Sequence, residues 1–482
     1  MGGVASGYNL NPTALSLPHT RTQGTTMNHW KQGDYIEVLI DDLSAQGEGV
    51  GRVDGRVVFV PDSVPGDRAK IHLTRVKRQY AHGKIHRLLE ISPHRVLPAC
   101  IVADKCGGCQ WQTVDYDYQV KAKEDQVRQA LQRIGHFEDP PVDALLPGTE
   151  PLGYRNKSTY PLGLSKTGQV QAGYYRKQSH RLINLNQCPV QDSRLDPLLA
   201  GVKQDLQAQE WTIYDETQQR GQLRHLSLRQ GRRTGEQLLT LVSTDWDLPG
   251  AEEQAEIWLQ RYPHLVGVNL NHNPHHTNAI FGSKSRCLGG RDYLEESFGG
   301  LQFQIRGDTF FQIYTEQAEA LLDVIAEVLH LDGTEVLLDA YCGVGTLSLP
   351  LAQSCREVIG IEVQPEAIAQ AEVNARLNGI TNSQFWIGTV EEVLPQWQGR
   401  MTRLPNVVLL DPPRKGCDRQ VLDQLLELQP QRIVYISCKP STLARDLKIL
   451  CDSGSYRLVR VQPADFFPQT PHVECVAFLE QC

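Results

Sequence analysis

The stretch Val336-Leu-Leu-Asp-Ala-Tyr-Cys-Gly-Val-Gly-Thr346 decides the fold of the C-terminal part of this 482-residue chain. It is an apolar strand that runs into a glycine-rich turn and then into a helix. Gly343 and Gly345 lack a Cβ, so the backbone can pass close to a ligand there. Roughly 20 residues further on, Val358-Ile-Gly-Ile-Glu362 ends a second strand in a carboxylate, which suits the hydroxyl groups of a ribose. Together the two segments predict a nucleotide-binding site.

Two kinds of nucleotide site share this strand–turn–helix pattern. A dinucleotide-binding Rossmann domain is expected to show G-x-G-x-x-G, whereas Gly345 is followed here by Thr346, Leu347 and Ser348. The form D-x-x-C-G-x-G, which begins at Asp339, resembles the S-adenosylmethionine site of class I methyltransferases. The turn therefore favours a methyltransferase over a dehydrogenase.

The surrounding sequence alternates between short apolar runs and amphipathic segments from about Phe310 onward. Strands are predicted at Glu335–Leu338, Val358–Ile361, Val407–Leu410 and Ile433–Ile436. Helices are predicted at Thr315–Leu329, Thr346–Gln353, Glu366–Leu377 and Arg419–Leu428. Such alternation predicts a parallel, doubly wound sheet that binds its ligands at the carboxyl ends of the strands.

Two further predicted strands end in residues that can carry out chemistry. Asp411 follows the third strand and is succeeded by two prolines, which turn the chain away from a helical path. Cys438 follows the fourth strand and stands beside Lys439, just before a helix that begins at Ser441. A nearby cation and a helix N-terminus both stabilise a thiolate. A lone cysteine can also be a small buried hydrophobe, but the position beside the nucleotide site favours a nucleophile.

Residues 31–92 are predicted to form a small β-domain. Alternating segments separated by turn signals lie at Tyr35–Ile40, Val57–Val60, Ala69–Leu73 and Ala81–Leu88. Short strands of this kind predict an OB-like barrel, a common scaffold for binding oligonucleotides.

The region between Pro61 and Val96 is basic, although the whole chain has a net charge of −8. Eight basic residues (Arg68, Lys70, Arg75, Lys77, Arg78, Lys84, Arg87 and Arg95) stand there against Asp62, Asp67 and Glu90. A phosphate-facing surface would have this composition, and so would a solvated strand face.

Four of the twelve cysteines form a spaced set, which consists of Cys100, Cys106, Cys109 and Cys188. Without a secretory signal the thiols are expected to stay reduced, so clustered cysteines indicate metal binding or catalysis rather than disulfides. Four thiolates can hold a [4Fe–4S] cluster or a structural zinc ion. A zinc ribbon normally has two C-x2-C pairs, and the spacing also differs from the C-x3-C-x2-C loop of radical enzymes.

The composition is that of an ordinary globular protein, with 40% hydrophobic and 22% charged residues. No run approaches the roughly 18 apolar residues that would suggest a membrane span. The first 26 residues lack the apolar core of a secretory signal. We expect residues 1–30 to be a disordered tail, or to include residues ahead of a true start at Met27. We also expect a cytoplasmic protein with no membrane contact.

Taken together, these motifs resemble those of the RNA (uracil-C5)-methyltransferases, and within that family the enzymes that act on 23S rRNA. The resemblance extends over nearly the whole chain from about residue 31. Its motifs are Ala45–Gly51, Val57–Pro61 and Pro65-Gly66 of a TRAM domain, and Phe310–Gln312, Asp339–Thr346, Asp411–Arg414, Ser437–Asp446 and His472–Glu474 of a methyltransferase domain.

The resemblance implies an α/β and β multidomain protein. A TRAM-like, OB-like RNA-binding barrel would occupy residues 31–92. A central, mostly β domain with an iron–sulfur cluster would occupy residues 93–309, and a Rossmann-like class I methyltransferase domain residues 310–482. The cluster would be a [4Fe–4S] cluster whose ligands are Cys100, Cys106, Cys109 and Cys188.

The resemblance also implies a role for each candidate site residue. Cys438 would add to carbon 6 of uracil, Glu474 would remove the proton from carbon 5, and Asp411 would hydrogen-bond the uracil edge or the cofactor. The residues around the cofactor S-adenosyl-L-methionine would be Gln312, Tyr341, Gly343, Thr346, Glu362 and Asp411. The family usually has Asn at Thr346 and an acidic residue at Thr389, so individual contacts differ here. A surface glutamate near the C-terminus is the alternative interpretation of Glu474.

The expected partner is RNA, with 23S rRNA as the target and no obligate protein partner. The nearest alternative is the same chemistry on tRNA or at another rRNA position. Bacterial tRNA enzymes of this family generally lack both the TRAM domain and the cluster, so their joint presence favours rRNA. A non-catalytic RNA-binding or assembly factor is a further alternative, against which the intact Cys438 and Glu474 argue.

Overall fold

The computed structural model describes residues 30–397 and 403–482. The predicted tail, apart from its last residue, and the candidate start at Met27 lie outside the described residues. The first unit is a closed barrel with the strand order β1-β2-β3-β5-β4. Its strands are β1 (Tyr35–Leu43), β2 (Gly49–Val53), β3 (Arg56–Val60), β4 (Arg68–Val76) and β5 (Tyr80–Glu90). Alternate apolar side chains such as Val38, Val58 and Ile71 fill its interior.

The central unit is built on a sheet with the order β12-β11-β10-β9-β6-β7-β8. In chain order the elements are α1 (Tyr116–Arg133), β6 (Lys157–Leu164), β7 (Val170–Tyr175), β8 (Leu182–Asn184), α2 (Asp196–Ala208), β9 (Leu223–Gln230), β10 (Gln237–Ser243), α3 (Ala251–Arg261), β11 (Leu265–His272) and β12 (Lys284–Gly290). Neighbouring strands are antiparallel except β10 and β11, which are parallel. Apolar residues of α2 and α3 share one core with the sheet.

The C-terminal unit is the doubly wound α/β sheet that the sequence predicts. Its elements are β13 (Tyr293–Phe298), β14 (Leu301–Arg306), α4 (Thr315–Leu329), β15 (Val336–Asp339), α5 (Ser348–Ala352), β16 (Glu357–Glu362), α6 (Pro365–Leu377), β17 (Ser383–Ile387), α7 (Val390–Trp397), β18 (Val407–Leu410), α8 (Arg419–Leu428), β19 (Arg432–Ser437), α9 (Pro440–Asp452), β20 (Tyr456–Ala464) and β21 (Glu474–Gln481). The strand order is β17-β16-β15-β18-β19-β21-β20.

This strand order brings the candidate site residues to one edge of the sheet. The strands from β17 to β19 are parallel, and the order reverses between β15 and β18, where ligands bind in sheets of this kind. Strand β21 is antiparallel to β19, and Ser437 pairs with Cys475. The amino end of β21, where Glu474 lies, therefore meets the carboxyl end of β19.

Two segments that the sequence prediction placed in the central domain pack on the C-terminal sheet. Val127 and Leu131 of α1 belong to the same apolar core as β15 and β19. Phe298 and Phe303 of the β13–β14 hairpin share a core with α4. Both segments have an apolar face, and the sheet offers the apolar surface on which to bury it. Among the described residues, no helix is both long and apolar enough to cross a bilayer.

Candidate active site

The turn after β15 is shaped to lie against a ligand. Asp339, the last residue of β15, is buried, and its side chain accepts hydrogen bonds from the Ser348 hydroxyl and, at 3.4 Å, from the backbone N–H of Tyr341. Gly343 and Gly345 have φ angles of 54° and 88°, which residues with a Cβ rarely adopt. A Cβ built on Gly343 would meet nothing within 4 Å. The backbone there faces open space that a nucleotide can occupy.

Carboxylates stand on both sides of this turn. Burial raises the pKa of Asp339 to about 6, and the nearby charge of Glu362 adds to the rise. Glu362 ends β16, and its Oε1 accepts the backbone N–H of Gln364 at 2.8 Å. A half-buried carboxylate at this point suits the hydroxyl groups of a ribose, as the sequence predicts.

The other candidate cofactor residues surround the same turn or lie in loops beside the sheet. Thr346 follows the second glycine and is half-buried. The hydroxyl of Tyr341 is 3.9 Å from the Cys417 sulfur. Gln312 lies between β14 and α4, where its carbonyl accepts a hydrogen bond from Asn156 at 2.8 Å. Thr389, at which the family usually has an acidic residue, follows β17.

Three candidate catalytic residues extend from three different strands into one site. Asp411 follows β18, Cys438 follows β19, and Glu474 begins β21. Glu474 is only 8% exposed, so the interpretation as a surface glutamate is wrong. Cys438 is half-buried. The three groups are close enough for the charges of Glu474 and Asp411 to raise the pKa of the Cys438 thiol.

Burial is the main cause of the shifted pKa values in this group. It raises the pKa of the Cys438 thiol, and Glu474 raises it further. It also raises the pKa of Glu474 well above the usual range for a carboxyl, with Asp411 as the second cause. The pKa of Asp411 is raised by burial and by Asp339. A cluster of buried acids with raised pKa values beside a thiol is a marker of a functional site.

Arg414 is a cation in this site, a role that was not predicted from the sequence. Its charge lowers the pKa of both Cys438 and Glu474 and so opposes the effect of burial. The loop that carries it is fixed from α9, because Asp446 accepts hydrogen bonds from the Cys417 N–H at 3.0 Å and the Tyr435 hydroxyl at 2.5 Å. The signal in the sequence was its place at the end of the Asp411-Pro-Pro-Arg414 motif.

Cys438 opens onto a cavity of about 510 Å³ between the barrel and α1. Its lining residues are Ala45, Gln46, Gln126, Gln129, Ala130, Arg133, Ile134, Arg414, Cys438, Lys439, Pro440, Ser441, Pro471, His472 and Val473. A second cavity of about 400 Å³ shares Ala45, Gln126, Gln129 and Arg133 with the first. We call the two cavities together the entry channel.

The entry channel is electropositive and contains aromatic side chains. Its cations are Arg52, Lys121, Arg133, Arg414 and Lys439, and its anions are Asp42 and Asp125. Phe59 in the outer cavity is stacked on His82 with ring centroids 5.2 Å apart. Cations that neutralise phosphates and rings that stack on bases are the features of a surface for single-stranded nucleic acid.

Two of the basic residues between Pro61 and Val96 form ion pairs within the barrel region. Arg95 donates to the buried carboxylate of Asp67 at 2.5 Å. Arg68 pairs with Glu90 at 2.9 Å and with Glu37 at 3.2 Å. The cations of the entry channel lie outside this basic stretch.

The four spaced cysteines line one cavity of about 230 Å³, although they come from two separate segments. Cys100, Cys106 and Cys109 lie in the loop before α1, and Cys188 follows β8. All four thiols are free. Within residues 30–397 and 403–482, no three His, Cys, Asp or Glu side chains are arranged as a metal site. Four sulfur donors around one cavity nevertheless fit a thiolate-bound centre in their chemistry.

Comparison with known proteins agrees with this architecture. A family model described as tRNA (Uracil-5-)-methyltransferase matches residues 279–482, and a TRAM domain model matches residues 29–86. An uncharacterized RNA methyltransferase of Nostoc sp. is 64% identical over 94% of this chain and 98% of its own length. One of Synechocystis sp. is 53% identical over 94% of this chain and 96% of its own length.

A solved structure resembles the chain over almost its full length. It is the Pyrococcus abyssi tRNA (uracil-54, C5)-methyltransferase in complex with S-adenosyl-L-homocysteine. The two are 27% identical with a TM-score of 0.72, and the match covers 92% of this chain and 99% of the other.

The fold and the site define an S-adenosylmethionine-dependent RNA methyltransferase with a TRAM barrel. Within that class, the chain belongs to the RNA (uracil-C5)-methyltransferase family.

Proposed function

We propose that this enzyme methylates carbon 5 of one uridine in 23S rRNA through a covalent bond between Cys438 and the uracil. One observation carries the proposal. Cys438, Asp411 and Glu474 lie at the ends of three different strands, close to one another and to the turn after β15, and Cys438 lines the entry channel. The proposed reaction needs a nucleophile and a base, for which the thiol and a buried carboxyl are suited. It also needs a path by which RNA reaches the thiol, which the entry channel would supply.

The reaction needs a nucleophile because carbon 5 of uracil is itself poorly nucleophilic. The Cys438 thiolate forms a bond to carbon 6, and the electron pair of the C5=C6 bond moves to carbon 5, which then accepts the methyl group. Arg414 favours the thiolate because its charge lowers the pKa of the thiol. Asp411 would hydrogen-bond the uracil edge or the cofactor.

Glu474 completes the reaction as the base. Its carboxylate takes the proton from carbon 5, the C5=C6 bond forms again, and the bond between carbon 6 and the Cys438 sulfur breaks to release the thiolate. Burial raises the pKa of Glu474, which makes the deprotonated carboxylate a stronger base than an exposed glutamate.

The residues around the turn after β15 would hold S-adenosyl-L-methionine, which supplies an electrophilic methyl group when bound. Glu362 suits the ribose hydroxyls, and the backbone at Gly343 leaves room for the ligand. Gln312, Tyr341 and Thr346 are the further candidates for contacts with the cofactor.

The joint presence of a TRAM barrel and the four-cysteine cavity supports 23S rRNA as the target. The second candidate is tRNA, because the Pyrococcus abyssi tRNA enzyme matches 92% of this chain. Deletion of the gene, followed by mapping of 5-methyluridine in both RNAs, tests the two candidates directly. We expect one site to be lost from 23S rRNA, and loss from tRNA alone would favour the second candidate.

The purified protein tests the enzymatic part of the proposal. Cys438→Ala should abolish methylation of RNA extracted from the deletion strain and leave cofactor binding intact. Cys287→Ala is a matched control, because Cys287 is an exposed cysteine of the central sheet. Normal turnover by Cys438→Ala would exclude the covalent route.

We further propose that Cys100, Cys106, Cys109 and Cys188 hold a [4Fe–4S] cluster with a structural role. The common cavity that all four thiols line supports a thiolate-bound centre. Protein purified without oxygen should be brown and contain about four irons per chain. Stoichiometric zinc without iron would overturn this assignment.

A further inference from the structure

The segment that leads into Glu474 is buried and is held by parts of the chain far away in sequence. This segment, residues 465–473, connects β20 to β21 and lies between Ala464 and Glu474. Apart from Phe467 and the exposed His472, its residues are buried. The segment runs directly into Glu474, the first residue of β21, which pairs with Ala464 of β20.

Gln469 is the residue at which this segment is held most closely. Its carbonyl accepts hydrogen bonds from the backbone N–H groups of Gln110 at 3.1 Å and Trp111 at 3.0 Å. Its backbone N–H donates to the side chain of Gln119 at 2.9 Å, which donates in turn to the Gln469 side chain at 3.2 Å. Its side-chain amide also lies 3.4 Å from the carbonyl of Pro151.

The backbone of Gln469 is in the left-handed region, with a φ of 70°. A residue with a long side chain rarely adopts this conformation, and it persists where the surroundings impose it. The surroundings here are the loop that bears three of the spaced cysteines and α1. Gln110 and Trp111 directly follow Cys109, and Gln119 lies in the first turn of α1.

Other contacts between α1 and the same segment strengthen this attachment. Lys123 of α1 donates to Asp465 at 2.6 Å, and both side chains are fully buried. Tyr116 donates to the second oxygen of Asp465 at 3.1 Å. The hydroxyl of Tyr154 donates to the carbonyl of Pro468 at 3.0 Å.

From these contacts we infer that Gln469 is a positioning residue for the base: through it, the cysteine-bearing loop and α1 set the place of Glu474. The inference rests on the proposed role of Glu474. The step it affects is the last one, in which the carbon 5 proton moves to Glu474 and the bond between carbon 6 and the Cys438 sulfur breaks. Attack by Cys438 does not need Glu474 and should be affected less.

The test compares formation of the protein–RNA adduct with its release in Gln469→Ala, which removes the side-chain contacts with Gln119 and Pro151 and keeps the backbone hydrogen bonds. Release of methylated RNA should slow by up to roughly 100-fold, which is the loss that a misplacement of about 1 Å can cause. The adduct should therefore accumulate on a denaturing gel, while the affinities for cofactor and RNA stay close to those of the wild type. A purely structural role would lower formation and release together and leave no adduct.

Two further variants keep the test decisive. Gln119→Ala removes the partner on α1 without changing the 465–473 segment and should produce the same accumulation, even if Gln469→Ala does not fold. Gln429→Ala is the matched control, because Gln429 also has a positive φ, of 50°, and is an exposed residue at the end of α8. It should turn over normally without trapped RNA.

The results separate failure of this inference from failure of the proposed function. If Glu474→Gln traps RNA but Gln469→Ala and Gln119→Ala release it at the wild-type rate, the positioning role is wrong and the base role stands. If Glu474→Gln releases RNA normally, the base role itself is wrong and the inference falls with it.

Discussion

The charge of Arg414 acts on the two groups that must lose a proton for the reaction to proceed, the Cys438 thiol and the Glu474 carboxyl. It lowers the pKa of the Cys438 thiol and of the Glu474 carboxyl, whereas burial raises both. Both groups act in the deprotonated form. We therefore expect activity to be lost as the pH falls. Because burial raises both pKa values, this loss should begin at a higher pH than it would if the two groups had their ordinary pKa values.

Replacing Arg414 tests this balance of charges. Arg414→Gln should shift the pH profile of methylation to higher pH and lower the rate at neutral pH by roughly tenfold for each unit by which the pKa of the Cys438 thiol rises, because one pKa unit corresponds to about 1.4 kcal/mol. The measurement is the initial rate of methyl transfer as a function of pH. Arg419→Gln, which removes an exposed arginine of α8, is the control and should leave the profile unchanged. A profile of Arg414→Gln that overlays the wild type would contradict this role.

At the scale of secondary structure, local patterns in the sequence predict the C-terminal sheet well. The predicted bounds of α4, α8 and β18 agree with the structure residue for residue. Each of these elements has an amphipathic or apolar pattern within its own length, so neighbours in sequence are sufficient to predict it. The turn after β15 and the position of Cys438 could be predicted because each comes directly after such a strand.

The contacts between distant segments could not be predicted in this way. Nothing near Gln469 in the sequence indicates that it pairs with Gln119, because the two residues are 350 positions apart. The topology of the central sheet could not be predicted for the same reason, since the pairing of its strands depends on packing between segments that are distant in sequence. The burial of Glu474 results from the antiparallel pairing of β21 with β19, which was not predicted from the sequence.

Helix α1 joins the cysteine-bearing loop to the catalytic domain through a buried ion pair. Lys123→Met would leave the carboxylate of Asp465 buried without its cation, so we expect a loss of about 3–5 kcal/mol in the free energy of unfolding. Unfolding in urea measures it. Lys121→Met, on the exposed face of the same helix, is the control and should change stability little. A loss below about 1 kcal/mol for Lys123→Met would show that the ion pair is not a major support of this junction.

At the scale of the whole molecule, the entry channel connects the TRAM barrel to the active site. Arg52 comes from the barrel, Lys121 and Arg133 come from α1, and all three line the channel. An RNA strand that runs along the channel would bring its phosphates past these cations before a uridine reaches Cys438. Binding by such contacts releases counterions and is therefore sensitive to salt.

Single substitutions in the channel test this path. Arg52→Ala, Lys121→Ala and Arg133→Ala should each weaken RNA binding and reduce the slope of log affinity against log salt by about 1 for every phosphate that is no longer neutralised. Cofactor affinity should stay unchanged. Arg68→Ala is the control, because Arg68 belongs to the barrel but lines neither cavity of the entry channel. Unchanged slopes in all three channel variants would place the RNA elsewhere on the surface.

Trapping of the covalent adduct between Cys438 and RNA would be the strongest evidence for the proposed mechanism. Glu474→Gln should still allow attack and methyl transfer but stall before release, and a slowly migrating protein–RNA band should appear on a denaturing gel. The band should vanish in the double variant with Cys438→Ala. RNA with 5-fluorouridine at the target should trap the wild type in the same way, because fluorine cannot leave carbon 5 as a proton does. A band that persists without Cys438, or efficient turnover by Cys438→Ala, would contradict covalent catalysis by this cysteine.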